Sequence, residues 1–238
     1  MNNTEHTQQL SPWWRRAVIM VMLIGFGILI YLTVNAYVGA PPVPEKVVDT
    51  EGKVLFTGDD IRSGQEIFLK YGLMDNGTIW GHGAYLGPDF SAAYLHTLSG
   101  DTGDFLAAQK YSTSFNSLSE PEKLDIESQV KQLLKVNRYD DSTGELVFTE
   151  PEVSSFENQV AVWTEYFKSP MNNAGMQANL ITDPDELEDL TAFFAWTSWV
   201  SVANRPDKPY SYTNNFPYDP SVGNVLTTDT ILWSALSL

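Results

Sequence analysis

The sequence predicts a mainly α-helical chain: one N-terminal transmembrane helix, a helical domain outside the membrane with small β-hairpins, and the start of a second membrane helix at the C-terminus. Three observations predict it. Ala17–Val38 is a run of 22 residues without a charge. Three later segments open on one phrase, Ser or Thr, acid, proline, acid, and each continues as an apolar stripe at helical spacing. Two pairs of short runs rich in valine, leucine and aromatics are joined by turn residues.

Residues 1–12 are polar and are expected to be a disordered cytoplasmic tail. Trp13–Val38 follows as the membrane helix. Its 22 uncharged residues span about 33 Å, the thickness of the hydrocarbon layer. A cleaved signal peptide has a shorter apolar core, roughly 7–15 residues. Arg15 and Arg16 precede the apolar run and acidic sequence follows it, so the positive-inside rule places the N-terminus in the cytoplasm and residues 41 onward outside. Residues 41–238 carry 12 basic against 29 acidic side chains. Such a surface repels phosphate, which excludes nucleic acid as a partner and requires any contact with the bilayer to be hydrophobic. The chain has no cysteine, which excludes disulfides, thiolate metal sites, cysteine nucleophiles and the CxxCH attachment of haem c.

Gly39–Pro44 is a stiff linker, because proline ends the helix and favours extended backbone. A domain is expected over residues 39–225. Lys46–Val48 and Lys53–Thr57 pair as a hairpin around Asp49–Gly52. A helix over Asp59–Tyr71 buries Ile61, Ile67, Phe68 and Tyr71. Tyr71–Phe90 then packs five glycines, Trp80, two tyrosines and His82 into twenty residues. Glycine serves where φ is positive or the backbone comes close to another surface, so this stretch is a shaped loop, either a connector between helices or a contact site. Asp89–Tyr111 is helical, with a break expected at Gly100 or Gly103.

Ser119, Thr149 and Thr182 each start a helix. The hydroxyl accepts a bond from an orphan backbone N–H, the acid three residues on reaches back, and proline in the first turn loses no helical bond. The apolar stripes run through Ile126, Val130, Leu133 and Leu134; through Val153, Phe156, Val160, Trp163 and Phe167; and through Leu187, Leu190, Phe193, Phe194, Trp196, Trp199 and Val200. Arg138–Thr149 is a second small hairpin turning at Asp141–Gly144. Asn204–Asn224 is a loop too aromatic for a linker and packs on a surface. Thr227–Asp229 caps Thr230–Leu238, too short to cross a bilayer and read as the first turns of a second membrane helix, over residues 226–238.

No catalytic constellation stands out: HExxH, Walker, GxSxG and CxxC patterns are absent. His6, His82 and His96 are too scattered for a metal site, and Asp59-Asp60 and Asp140-Asp141 read as solvated faces or caps.

PPVPEKVV (41–48), VLFTGDDI (54–61), GQEIFLKYGLM (64–74), IWGHGAYLGPDF (79–90), NRYD (137–140), LTAFFAWTSW (190–199), NRPDKPYSYTNNFP (204–217) and LWSALSL (232–238) together resemble the N-terminal portion of the quinol-dependent nitric oxide reductases, members of the haem-copper oxidase superfamily. The resemblance covers residue 41 to the C-terminus. It implies a first membrane helix in the bacterial inner membrane and a periplasmic domain with a cytochrome c-like fold but no haem c. It also implies a multi-helix catalytic core as partner, carrying haem b, haem b3 and non-haem iron, taking electrons from quinol and reducing two NO to N2O. None of those cofactors would be bound by this chain, and no catalytic residue falls in it.

In the related cytochrome-dependent reductases the haem motif CxxCH is followed by a run similar to Thr78–Tyr85. That alignment puts Leu73, Asn76 and Gly77 at the positions of the two cysteines and the histidine. In the relatives the carbonyl at the Gly83 position and the hydroxyl at the Tyr85 position face the membrane subunit near calcium and the haem propionates. The resemblance therefore implies calcium or propionate contacts for Gly83 and Tyr85, and a core-docking loop at Trp80, Gly81 and His82. The competing reading is a self-standing, membrane-anchored binding or assembly module; an electron-transfer cytochrome is excluded by the missing CxxCH.

Overall fold

The computed structural model describes residues 11–169, 171 and 173–237. Most of the polar tail expected at residues 1–12 lies outside the described residues. The chain divides between Pro41 and Pro42 into two units. The first is one helix, α1 (Pro12–Val38), whose first residues are capped by the Ser11 hydroxyl. None of its residues is buried, as suits a helix whose solvent is lipid. Among the described residues α1 is the one helix long and apolar enough to cross a membrane.

The second unit is mainly helical. Strands β1 (Lys46–Val48) and β2 (Val54–Thr57) form the expected antiparallel hairpin. Helix α2 (Gly58–Lys70) follows with a capping box of its own, in which aspartate takes the place of the usual glutamate: Thr57 N donates to Asp60 Oδ2 at 2.7 Å while Asp60 N donates to Thr57 Oγ1 at 3.3 Å. After a glycine-rich loop with a minimal hairpin, β3 (Thr78–Ile79) and β4 (His82–Gly83), come α3 (Phe90–Tyr111) and α4 (Glu120–Lys135). Strands β5 (Tyr139–Asp140) and β6 (Glu145–Val147) precede α5 (Glu150–Lys168), α6 (Pro184–Val202) and α7 (Thr228–Ser237).

The two larger hairpins expected as separate features are joined. β1 pairs β6 in parallel, Val47 opposite Leu146, giving one four-stranded sheet in the order β2-β1-β6-β5. Pairing between residues about a hundred positions apart leaves no local trace. The break expected in α3 is also absent: the helix runs unbroken through Gly100 and Gly103. Each glycine costs about 1 kcal/mol against alanine, and burial of Tyr94, Leu95, Leu98, Thr102 and Ala107 on the same helix offsets it.

Two of the three predicted caps form as expected. Ser119 N and Oγ donate to Glu122, and Thr149 N and Oγ1 donate to Glu152. The third is corrected. Asp183, not Thr182, is the cap of α6; its carboxylate accepts from Asp185 N at 3.0 Å and Pro184 becomes the first helical residue. Aspartate is short enough to cap by itself, whereas the glutamates at the other two starts leave that role to the hydroxyl.

The predicted stripes face inward: Ile126, Val130 and Leu134; Phe156, Trp163 and Phe167; Leu187, Leu190, Phe193, Phe194, Trp199 and Val200 are buried. Helix α6 goes further, burying Thr191, Thr197, Ser198 and Ser201 as well. It is the central element, against which α2, α3 and α5 pack. Phe90 of α3 stacks on Phe194 of α6 at 5.0 Å, with Trp163 edge-on to Phe194 at 4.9 Å. Aromatic pairs of this kind add about 0.5–1.5 kcal/mol beyond their area.

A hairpin pinned on its inner side and open on its outer side

The glycine-rich loop between α2 and α3 is tied down at its start. Tyr71 Oη donates to Glu186 of α6 at 2.6 Å, and Lys70 Nζ lies 2.5 Å from the same carboxylate. The hydrogen bond to Glu186 raises the Tyr71 phenol above its ordinary value, and Lys70 with Tyr71 hold Glu186 below the usual range. Leu73 then enters the core, fully buried. Asn76 becomes a hub for the returning chain: its carbonyl accepts from Leu86 N at 3.0 Å and Gly87 N at 2.6 Å, and its Nδ2 donates to Ala174 O at 3.2 Å. A side chain at Gly77 would run into the Pro88 carbonyl and the Phe90 ring. Only glycine fits there.

Trp80 and Gly81 connect β3 to β4 with φ of 52° and 78°. Positive φ at both central residues is a type I′ hairpin turn, whose first position normally takes Asn, Asp or Gly. A tryptophan there is held against its own backbone preference. Three partners hold it. Its indole Nε1 donates to the Thr197 carbonyl of α6 at 3.0 Å, its ring lies 5.7 Å from that of Trp196, and its backbone N donates to Ser91 Oγ at 3.2 Å.

Asp89 completes the fixing. One carboxylate oxygen accepts from Thr78 Oγ1 at 2.8 Å and Gly81 N at 2.6 Å; the other accepts from Ala92 N at 2.9 Å and from Ser91 Oγ. Asp89 is thus both the cap of α3 and the clamp of the hairpin. The sequence placed Asp89 at the start of this helix without assigning it the cap. The clamp was missed, because Gly81 N carries no sequence signal of its own. Trp196 and Thr197 were missed as partners for the same reason.

The outer side is uncovered. His82, Gly83, Tyr85 and Leu86 are exposed, Tyr85 at 86% and Leu86 at 74%. The imidazole Nδ1 of His82 lies 3.0 Å from the Trp80 carbonyl. Gly83 has φ of 140°, and a side chain there would meet the Gly77 carbonyl. Tyr85 Oη donates to Gly81 O at 3.3 Å. Two grooves flank the hairpin. One, about 250 Å³, is lined by Leu69, Met74, Ile79, Trp80 and Trp196 among others. The second, about 550 Å³, is lined by Trp80, His82, Tyr85, Asn214, Phe216 and Thr230 among others. His96 is elsewhere, 3.4 Å from Asp219, so the two histidines have separate partners.

The residues do not fit a haem c: the chain has no cysteine, and of the three residues that the resemblance matches to a haem attachment, Leu73 is in the core, Asn76 is engaged by the loop, and Gly77 has no room for a side chain. They do not by themselves fit calcium either. Gly83 O and Tyr85 Oη are two neutral oxygens, where calcium takes about six to eight with carboxylates among them. Both oxygens of Asp89 are engaged, and no cluster of three His, Asp or Glu forms among the described residues. Further ligands would have to come from outside the chain.

The family model for the cytochrome c-like domain of the nitric oxide reductase protein NorB matches residues 44–218. No curated protein matches the chain.

Proposed function

The chain belongs to the NorB family of nitric oxide reductase proteins through its cytochrome c-like domain, and on that premise we propose that it is the membrane-anchored, non-catalytic N-terminal segment of a quinol-dependent nitric oxide reductase. In this reading α1 anchors the chain in the bacterial inner membrane with its N-terminus in the cytoplasm. The domain after Pro42 lies in the periplasm and docks on a haem-bearing membrane core through Trp80, Gly81, His82, Gly83 and Tyr85. The core holds haem b, haem b3 and non-haem iron and reduces two NO to N2O with quinol electrons.

One observation carries the docking role. The hairpin is rigid without being covered: Asp89, Ser91 and Thr197 fix its inner side, while Tyr85 and Leu86 stand in solvent. A rigid, uncovered surface meets a partner with little ordering cost. The residues at the haem-attachment positions are consumed by the fold, which leaves docking rather than electron transfer as the role of the loop. In that position the Gly83 carbonyl and the Tyr85 hydroxyl offer two oxygens to a calcium ion or to water beside the haem propionates.

The test is Tyr85→Phe in the complete enzyme, which removes one hydroxyl and leaves the ring. Turnover and haem spectra are expected to change while the domain stays folded. Unchanged spectra, haem content and turnover sink the reading.

A further inference from the structure

We propose that the edge of the domain formed by Leu69, Met74 and Leu86, beside the Trp80 hairpin, rests in the interfacial layer of a zwitterionic lipid bilayer. The inference rests on the membrane anchoring in the proposed function and is independent of docking on a core.

Both ends of the domain lead to this edge. At its entry, Trp196 Nε1 donates to the Pro42 carbonyl at 2.9 Å, and the Trp196 ring packs on Trp80. Pro42 follows Val38, the last residue of α1, by four peptide units, a covalent reach of at most about 14 Å. At its exit, Thr230 in the first turn of apolar α7 lines the groove shared with Trp80, His82 and Tyr85. The hairpin therefore sits where the domain receives its chain from one apolar helix and passes it to another.

The composition of the edge fits lipid. Leu69, Met74 and Leu86 are 57%, 43% and 74% exposed. They are neighbours: Leu69 and Met74 line one groove, and bonds from Ala84 N to Met74 O and from Leu86 N to Asn76 O lay residues 84–86 beside 74–76. Among the described residues, no Lys, Arg, Asp or Glu lines either groove, on a domain with 29 acidic side chains. Leucine, tryptophan and tyrosine partition to the interface. Anionic headgroups would instead call for basic residues, which is why the occupant is zwitterionic.

The chain has no native cysteine, so single cysteines can carry nitroxide labels without background. Leu86→Cys and Leu69→Cys are compared with Leu124→Cys, an exposed control on α4, in the full chain in phosphatidylcholine nanodiscs. Labels at 86 and 69 are expected to sit about 5–10 Å into the interface, with several-fold lower access to an aqueous nickel chelate than at 124 and higher access to oxygen. Equal nickel access at all three positions overturns the proposal. A label at 86 that is aqueous in the chain alone but protected in the complete enzyme also overturns it, while leaving core docking intact.

Discussion

Two loops of this domain are fixed by the same device and end with opposite fates. In the hairpin over residues 78–83, Asp89 clamps the turn and caps α3. In the hairpin over residues 139–147, Glu152 closes the capping box of α5 and holds Arg138, whose Nε donates to Val147 O and whose Nη1 donates to Leu133 O. Each carboxylate ties a loop to the start of the next helix. Glu152 is buried against a guanidinium and its loop is built into the sheet beside Leu146 and Phe148, both in the core. Asp89 is half-buried against neutral donors, and its loop keeps one side in solvent. The difference separates a loop built into the fold on both sides from a loop fixed on its inner side alone.

The comparison breaks most sharply at Glu152. Arg138 and Glu152 side chains are 19% and 5% exposed, and burial raises the Glu152 carboxyl against the opposing pull of Arg138. Glu152→Ala leaves the half-buried guanidinium with its two carbonyl acceptors but without a countercharge, and urea unfolding is expected to register a loss of about 3–5 kcal/mol. Asp89→Ala removes a helix cap and three further bonds, a loss of about 2–3 kcal/mol. Hydrogen exchange should localise it, with the Gly81 and Ala92 amides losing protection and the 139–147 hairpin unaffected. Equal loosening of both hairpins would remove the distinction.

A third buried charge sharpens the contrast. Lys135 Nζ donates to the Asn215 and Asn224 side-chain oxygens and, among the described residues, to no carboxylate. Burial lowers its amine from 10.5 to about 8. Because the folded value lies below the unfolded one, protonation costs the fold. The stability is complete above pH 10.5 and is lost as pH falls through about 8. Screening reduces the expected gain to about 1–2 kcal/mol between about pH 8 and 10. Stability measured across that window should rise in the native chain and flatten in Lys135→Met. The smallest effect is predicted on the open side of the Trp80 hairpin. Leu86→Ser should change stability by less than about 0.5 kcal/mol in the chain alone. A larger loss would mean that this side supports the fold and is not reserved for a partner.

What depends on neighbouring residues was legible in the sequence. The length of Ala17–Val38 without charge, the hydroxyl caps at Ser119 and Thr149, and the 3-and-4 spacing from Val153 to Phe167 are local properties, and hydrogen-bond geometry within one turn makes them decisive. The five glycines set among aromatics over residues 71–90 marked the loop as shaped. The tertiary structure decided the rest, because it depends on groups brought from far along the chain. The parallel pairing of Val47 with Leu146, the burial of α6 on nearly every side, and the Thr197 carbonyl that accepts the Trp80 indole have no periodicity to betray them. Sequence alone determined that residues 71–90 are rich in glycine and carry no cysteine for a haem c attachment. Only packing decided which side of that loop is fixed and which is free, since a backbone N–H at Gly81 becomes a clamp point when Asp89 is folded against it.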